Sequence, residues 1–493
     1  MSPTPTSHLS RRQCCARLLT LFGGLAAVGC ATVSPQQERE LGRKEAQEVE
    51  RAVGLVRERR LVEYIEAIGR RLAQATGRTD IAWQWSVADE SDLNAFALPG
   101  GWVYVTRGLL TLCNREDELA GVVAHEMAHV LERHAVSRVA AATPLAVLFG
   151  VPSAILGMVS PGLGGIVGGA GRVVSGLTLA PYSREQELEA DRIGITLAAQ
   201  AGWDPRALAE FLGTLERAET VAGHASRRSS FFATHPSTPD RVAKIEAMAG
   251  SLSRAPVAPI TSGRAALLGR LEGLVIGNNA ANGVFAGQLF LHADFDLALE
   301  MPARWQTANT PEAAGAVAPD ETAAVLLQLV GTGDDPVAGA RAEGLSDAQM
   351  KGIRRLQISQ LPAAALTAET RSGTRVALTW IAHRKRIFRV TGLCGSADWE
   401  RHRGELERAA ASFRPLRPED QARISESRLR IRSARAGESI AQVLARGGAT
   451  WTPAQAAVAN GVATDRPLDR DWPLKVAVSE RYRPADGPTP GQR

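Results

Sequence analysis

His125-Glu126-Met127-Ala128-His129 is the stretch on which the reading of this chain turns. On a helix, positions four apart lie one turn above each other on one face, so both imidazoles reach a single ion. Zinc suits two ring nitrogens plus a carboxylate, an arrangement that leaves a fourth position for water. Glu126, beside the first imidazole, is placed to take a proton from that water and to hand it to a leaving amine. The same five residues also fit an ordinary amphipathic helix with two satisfied histidines, so the surrounding sequence has to decide. Just upstream, Asn114-Arg115-Glu116-Asp117 reads as a helix start, a capping asparagine with an acidic residue three later. The helix is expected to run through Leu119, Val122 and Val123 to about Val136.

A third ligand must come from elsewhere. Ser183 followed by Gln186 is a second capping arrangement, and it opens a helix with four acids: Glu185, Glu187, Glu189 and Asp191. A solvated acidic face is one reading of that run. The other rests on spacing: Glu187 and Asp191, four apart, share a face, and Ala190 beside them permits close helix approach. Glu187 then coordinates, while Asp191 accepts the distal N–H of a ligand histidine.

Upstream of both helices, Asn94-Ala95-Phe96-Ala97-Leu98-Pro99-Gly100-Gly101 leads through a turn into the alternating strand that begins Trp102-Val103-Tyr104-Val105. A peptide held extended along Trp102 to Thr106 gains backbone hydrogen bonds whatever its side chains, which favours unfolded substrates. A strand buried by its own domain is the alternative.

With these three motifs in order, the chain resembles the M48 family of integral and periplasmic zinc peptidases. The resemblance covers roughly residues 36 to 250. It implies a mostly α-helical, gluzincin-like peptidase domain with a short active-site edge strand and one zinc ion. It also implies that His125, His129 and Glu187 bind the metal, that Glu126 is the general base, and that Asp191 supports the site. Asn94, Ala95, Phe96, Trp102, Val103 and Tyr104 match the substrate-binding segment, and Arg133-His134 fits the periplasmic branch. Thr234-His235-Pro236 lies in a polar loop, and periplasmic relatives carry a similar element near the metal. His235 then either stabilises the oxyanion or occupies the water's position in a resting state; a surface-loop histidine is the alternative. His134 reads as a packing or hydrogen-bonding partner rather than a ligand. The long uncharged stretch from Val139 to Gly171 departs from the shortest family members and reads as an apolar flap or hairpin.

The N-terminus carries an address. Arginines precede the apolar run Leu18 to Val28, and Gly29-Cys30 follows, which resembles a bacterial lipoprotein signal with Cys30 as the acylated residue. Ala31 after that cysteine favours an outer membrane. Arg11, Arg12 and Arg17 lie in this leader, so the formal charge of +5 falls to +2 without it. That is too small an excess to argue for nucleic acid, and no basic stripe is interleaved with aromatics. Cys113 and Cys394 are far apart and read as two buried thiols rather than a disulfide framework.

At 493 residues the chain calls for two or three domains. The expected order is a signal peptide at 1–29 and the peptidase domain at 30–250. Ser251 to Ser262 then forms a linker, followed by an α+β domain at 265–415. A small βααβ-like unit at 427–479 faintly resembles LysM, a module that binds cell-wall glycan, and a disordered tail follows at 480–493. The function read from all this is a membrane-tethered zinc metalloendopeptidase, periplasmic and lipid-anchored, that hydrolyses misfolded or misassembled cell-envelope proteins. The rival is a chaperone-like or cell-wall-binding envelope protein with low or gated proteolysis.

Overall fold

The computed structural model describes residues 33–139, 181–222, 231–236, 239–369 and 373–484. Cys30, the leader and nearly all of the Val139 to Gly171 stretch lie outside the described residues. Together the described segments make a multidomain α+β protein.

Helix α1 (Pro35–Val53) starts where Ser34 and Gln37 exchange capping hydrogen bonds and Pro35 occupies the first turn. Helix α2 (Arg59–Thr76) buries Leu61, Tyr64, Ile65, Ile68 and Leu72, one apolar stripe at helical spacing, and stops at Gly77 in the left-handed conformation. Strands β1 (Gln84–Ala88), β2 (Ala95–Leu98) and β3 (Trp102–Thr106) form a sheet in the order β1-β3-β2. The β2–β3 turn needs glycine at Gly100 and Gly101, whose φ values are 81° and 114°.

This order corrects one expectation. Trp102, Val103 and Tyr104 occupy the central strand, paired in parallel with β1 and antiparallel with β2. Both sides of β3 are taken by the sheet itself, which leaves β1 and β2 as the outer strands.

Helix α3 (Glu116–Leu131) carries the two histidines. It is buried almost all round, as a helix at the centre of a domain must be. Its start differs from expectation by one residue: Arg115 is the cap, and Glu118, not Asp117, turns back to accept the N–H groups of Asn114 (2.6 Å) and Arg115 (3.2 Å). Its end is earlier than Val136. Arg133 adopts a left-handed φ of 55°, and a separate short helix, His134–Val139, begins after it.

Helix α4 (Arg184–Gln200) opens with the expected Ser183–Gln186 capping box and packs along α3. The approach is close because Gly194 faces the backbone of His125, where a Cβ would lie 2.9 Å from the His125 nitrogen. Helices α5 (Ala207–Ala222) and α6 (Pro239–Ala249) complete the helical layer.

The stretch read as a linker is pinned down. Glu116 accepts the backbone N–H groups of Ile260 and Thr261 and the indole N–H of Trp203 at 2.8 Å. Beyond helix α7 (Gly263–Leu271), β4 (Val275–Ile276) joins the C-terminal sheet, while β5 to β7 (284–286, 289–292, 297–300) form a small antiparallel sheet. Seven antiparallel strands, β8 to β14 between 306 and 395, then pair in the order β11-β12-β13-β14-β10-β9-β8. Helix α8 (Pro336–Ala342) and helix α9 (Trp399–Ala411) pack against this sheet. Cys113 and Cys394 are free and buried.

The last unit runs β15 (Ser425–Ala434), α10 (Ile440–Leu444), α11 (Pro453–Asn460) and β16 (Trp472–Arg481). Strand β16 therefore extends through 480 and 481, residues expected in the tail. The unit is not free-standing. Its Leu429 and Ala459 belong to the same apolar core as Leu119, Val122 and Val123 of α3. Lys475 is fully buried and donates to the carbonyls of Thr111 (2.7 Å) and Cys113 (2.8 Å), just before α3.

Candidate metal centre

Helix α3 delivers His125 and His129 from one face, and α4 crosses it so that Glu187 and Asp191 point at them. His125, Glu126, His129, Glu187, Asp191 and His235 are all at most 1% exposed. The Nε2 atoms of His125 and His129 lie 3.1 Å apart. Glu187 places Oε2 3.6 Å from His125 Nε2 and Oε1 3.4 Å from His129 Nε2. His235 brings Nδ1 to 3.3 Å from His125 Nε2 and 2.9 Å from Glu187 Oε1. One donor atom from each of these four residues falls within 4.8 Å of the others. Asp191 faces away from this cluster, with Oδ1 3.0 Å from the distal Nδ1 of His125.

These distances are those of a cage. Ligands about 2.0–2.1 Å from a tetrahedral zinc sit roughly 3.3 Å from one another. Five of the six donor pairs lie 2.9 to 3.6 Å apart, around that edge length, and all four donors lie within 4.8 Å. The donor set, nitrogen and carboxylate oxygen in a buried site, also suits zinc.

The two carboxylates are held in their charged form. Burial would raise the Glu187 carboxyl, but the rings of His235, His129 and His125 hold it well below the usual carboxylate range. Burial likewise works against ionised Asp191, and the Arg241 guanidinium and His125 outweigh it. Burial pushes His129 well below the ordinary histidine value, so its ring is neutral and keeps a lone pair.

Phe231 and Tyr182 fix two of the rings. Phe231 stacks on His235 with centroids 4.3 Å apart, and Tyr182 stacks on His129 at 3.6 Å. The Tyr182 N–H donates to Thr234 O at 3.1 Å, which ties the start of α4 to the loop carrying His235.

Residues 60–249 match the family model described as Peptidase family M48. This segment is an M48 peptidase domain. Among known proteins, the chain is 35% identical over 187 residues to the mitochondrial metalloendopeptidase OMA1 of Schizosaccharomyces pombe, covering 37% of this chain and 51% of that protein. It is 30% identical over 218 residues to the beta-barrel assembly-enhancing protease of Escherichia coli K12, covering 43% and 44%. It is 34% identical over 175 residues to the mitochondrial metalloendopeptidase OMA1 of Bos taurus, covering 34% and 33%. The chain thus spans about half the length, or less, of these curated relatives.

Within the M48 domain the structure brings His125, Glu126, His129, Glu187, Asp191 and His235 together. Asn94, Ala95 and Phe96 lie on the edge side of the sheet, whereas Trp102, Val103 and Tyr104 lie at its centre. Glu185 and Glu189 point elsewhere: Glu189 contacts His134 at 3.3 Å.

Sequence reasoning missed Arg241. It grips Asp191 with two bonds of 2.7 Å and reaches Glu187 Oε2 at 2.6 Å. The available signal was indirect, since two carboxylates on one buried face need a cation and Arg241 follows His235 by six residues.

Proposed function

We propose that this chain is a zinc metalloendopeptidase with one zinc per chain, held by His125, His129 and Glu187 in a gluzincin-like domain. The observation that carries the reading is the edge lengths of the buried donor cluster, which suit a tetrahedral ion better than any direct hydrogen-bonding scheme among three imidazoles. When bound, zinc supplies a Lewis acid that polarises a carbonyl and makes water a nucleophile near neutral pH. Glu126 then takes the proton from the attacking water and passes it to the leaving amine. Its carboxylate has His235 Nε2 3.4 Å away.

Substrate binding is assigned to β2. The Thr106 N–H donates to Asn94 O at 3.0 Å. By antiparallel alternation Phe96 and Leu98 therefore bond to β3, while Ala97 turns its N–H and C=O to the outer side and Ala95 its C=O, the Ala95 N–H being donated to Asn94 Oδ1 at 2.9 Å. An extended peptide adds there as a further strand.

The proposed setting is the bacterial envelope. Cys30 would carry the lipid that tethers the protein in the periplasm at an outer membrane, and the substrates would be misfolded or misassembled envelope proteins. A relative named as a beta-barrel assembly-enhancing protease supports that setting. Among the described residues no helix is long and apolar enough to cross a membrane.

The second reading, gated or low proteolysis, is favoured by one observation. His235 Nδ1 stands among the metal-facing atoms, where it competes with water for the fourth position. Peptidoglycan binding by the C-terminal unit rests on its strand–helix–helix–strand order alone.

Zinc content together with casein turnover, on wild type and Glu126→Gln, tests the main reading. The variant should keep its zinc and lose roughly 10²–10⁴-fold in rate. A wild type without zinc, or a variant with near-normal turnover, would sink it.

A further inference from the structure

The break after α3 delivers a histidine that a continuous helix could not. Five residues along a helix is about 500° of rotation, so His134 would lie some 140° away from the His129 face. Arg133 prevents that by taking the left-handed conformation at φ 55°, uncommon for a residue with a side chain. Its guanidinium is held from outside the helix, by Glu38 at 2.7 Å and by the Val33 carbonyl. The chain therefore folds back, and His134 Nδ1 arrives 3.0 Å from His129 Nδ1. The other ring nitrogen of His134, Nε2, lies 3.3 Å from Glu189 Oε2. The His134 side chain is 6% exposed and that of Glu189 45%.

Proton accounting orders this chain of contacts. This step rests on the zinc reading above: His129 presents the Nε2 lone pair to the cluster, so its proton sits on Nδ1 and is donated to His134. His134 must then accept at Nδ1 and carry its own proton on Nε2, which it donates to the Glu189 carboxylate. Each atom has one role and no proton is shared twice.

The two histidines on α3 thus have different supports. His125 leans on Asp191, a buried carboxylate neutralised by Arg241. His129 leans on an imidazole whose carboxylate partner is half in water.

We propose that His134 is a positioning residue that sets the tautomer and orientation of His129, with Glu189 anchoring it. Partners of this kind typically contribute 10–100-fold to metal affinity. The test is the zinc dissociation constant, by chelator competition, of the full chain carrying His134→Leu or His134→Asn. Asparagine puts Oδ1 where Nδ1 stands and keeps an acceptor for His129; leucine does not. The expected result is zinc binding weaker by about 10–100-fold in His134→Leu, with His134→Asn near wild type. The melting temperatures of the metal-free proteins should move together in the two variants, because a merely structural role would not distinguish acceptor from non-acceptor.

Equal zinc affinity in His134→Leu and wild type overturns the proposal, and so does an asparagine variant that falls as far as leucine. A wild type that takes up no zinc overturns the metal reading and this proposal with it, whereas a zinc-loaded wild type matched by His134→Leu overturns only this one.

Discussion

Arg241 holds Asp191 by both carboxylate oxygens, at 2.7 Å each, in a pair with almost no solvent exposure. The same guanidinium touches Glu187, so one cation balances the carboxylate that orients His125 and the carboxylate in the donor cluster. Arg241→Leu should strand two buried negative charges. Breaking a buried pair from one side costs about 3–5 kcal/mol, and the metal-free protein should melt lower by an amount that zinc partly restores. Arg241→Lys should fall in between, because an ammonium cannot span both oxygens. Thermal melts with and without zinc check this; a leucine variant as stable as wild type would show the pair to be dispensable.

His235→Ala separates restraint from catalysis. With Nδ1 at 2.9 Å from Glu187 and 3.3 Å from His125 Nε2, the ring stands in the position that the proposed function gives to water. Removing it is expected to raise peptidase activity at unchanged zinc content. Loss of kcat by roughly 10²–10³-fold would instead assign the ring to the oxyanion. Steady-state kinetics on the alanine variant give the sign.

Gly194→Ala sets two effects against each other. In a helix interior alanine is normally better than glycine by about 0.5–1 kcal/mol. Here the added Cβ meets the His125 backbone at 2.9 and 3.0 Å, and such overpacking costs about 1–3 kcal/mol. The clash should win, pushing α4 off α3, lowering stability and weakening zinc binding. Gly213→Ala on α5 meets only the end of Arg217 at 3.5 Å, and it should be neutral or stabilising. Denaturation of the two variants side by side tests the contrast.

Lys475 makes the C-terminal unit part of the peptidase. Burial, with Arg264 nearby, pushes its ammonium down to about 7, from an ordinary value of 10.5. The folded protein thus sheds this proton near pH 7, while the unfolded chain keeps it to higher pH. Between those values the unfolded state binds more protons, so this term makes stability rise with pH from about 7 upward and is flat below. Urea melts at pH 6, 7.5 and 9 should show that rise in wild type and its loss in Lys475→Met. Deleting 420–493 would uncover Leu429's place in the core and leave the Thr111 and Cys113 carbonyls unpaired. Soluble, fully active protein after that deletion would contradict the shared core.

What the sequence by itself determined was local. Four-residue spacing aligned His125 with His129 and Glu187 with Asp191, because helical periodicity is a property of the chain and needs no partner. Ser183 with Gln186, and Pro99-Gly100-Gly101, marked a helix start and a turn through short-range hydrogen bonding and backbone freedom. Charge and cysteine spacing removed whole classes of function for the same reason.

What only the tertiary structure decided depends on contacts between residues distant in sequence. Strand order made Trp102 to Tyr104 central rather than peripheral, since alternation in a strand reveals its faces but not its neighbours. Arg241 reached Asp191 across 50 positions. Glu116 bound a stretch that composition alone presented as a linker. Lys475, a charge that pattern reading assigns to solvent, lies inside and donates to two carbonyls more than 360 residues away. Arg133 broke the helix early because Glu38, from the opposite end of the domain, holds it there.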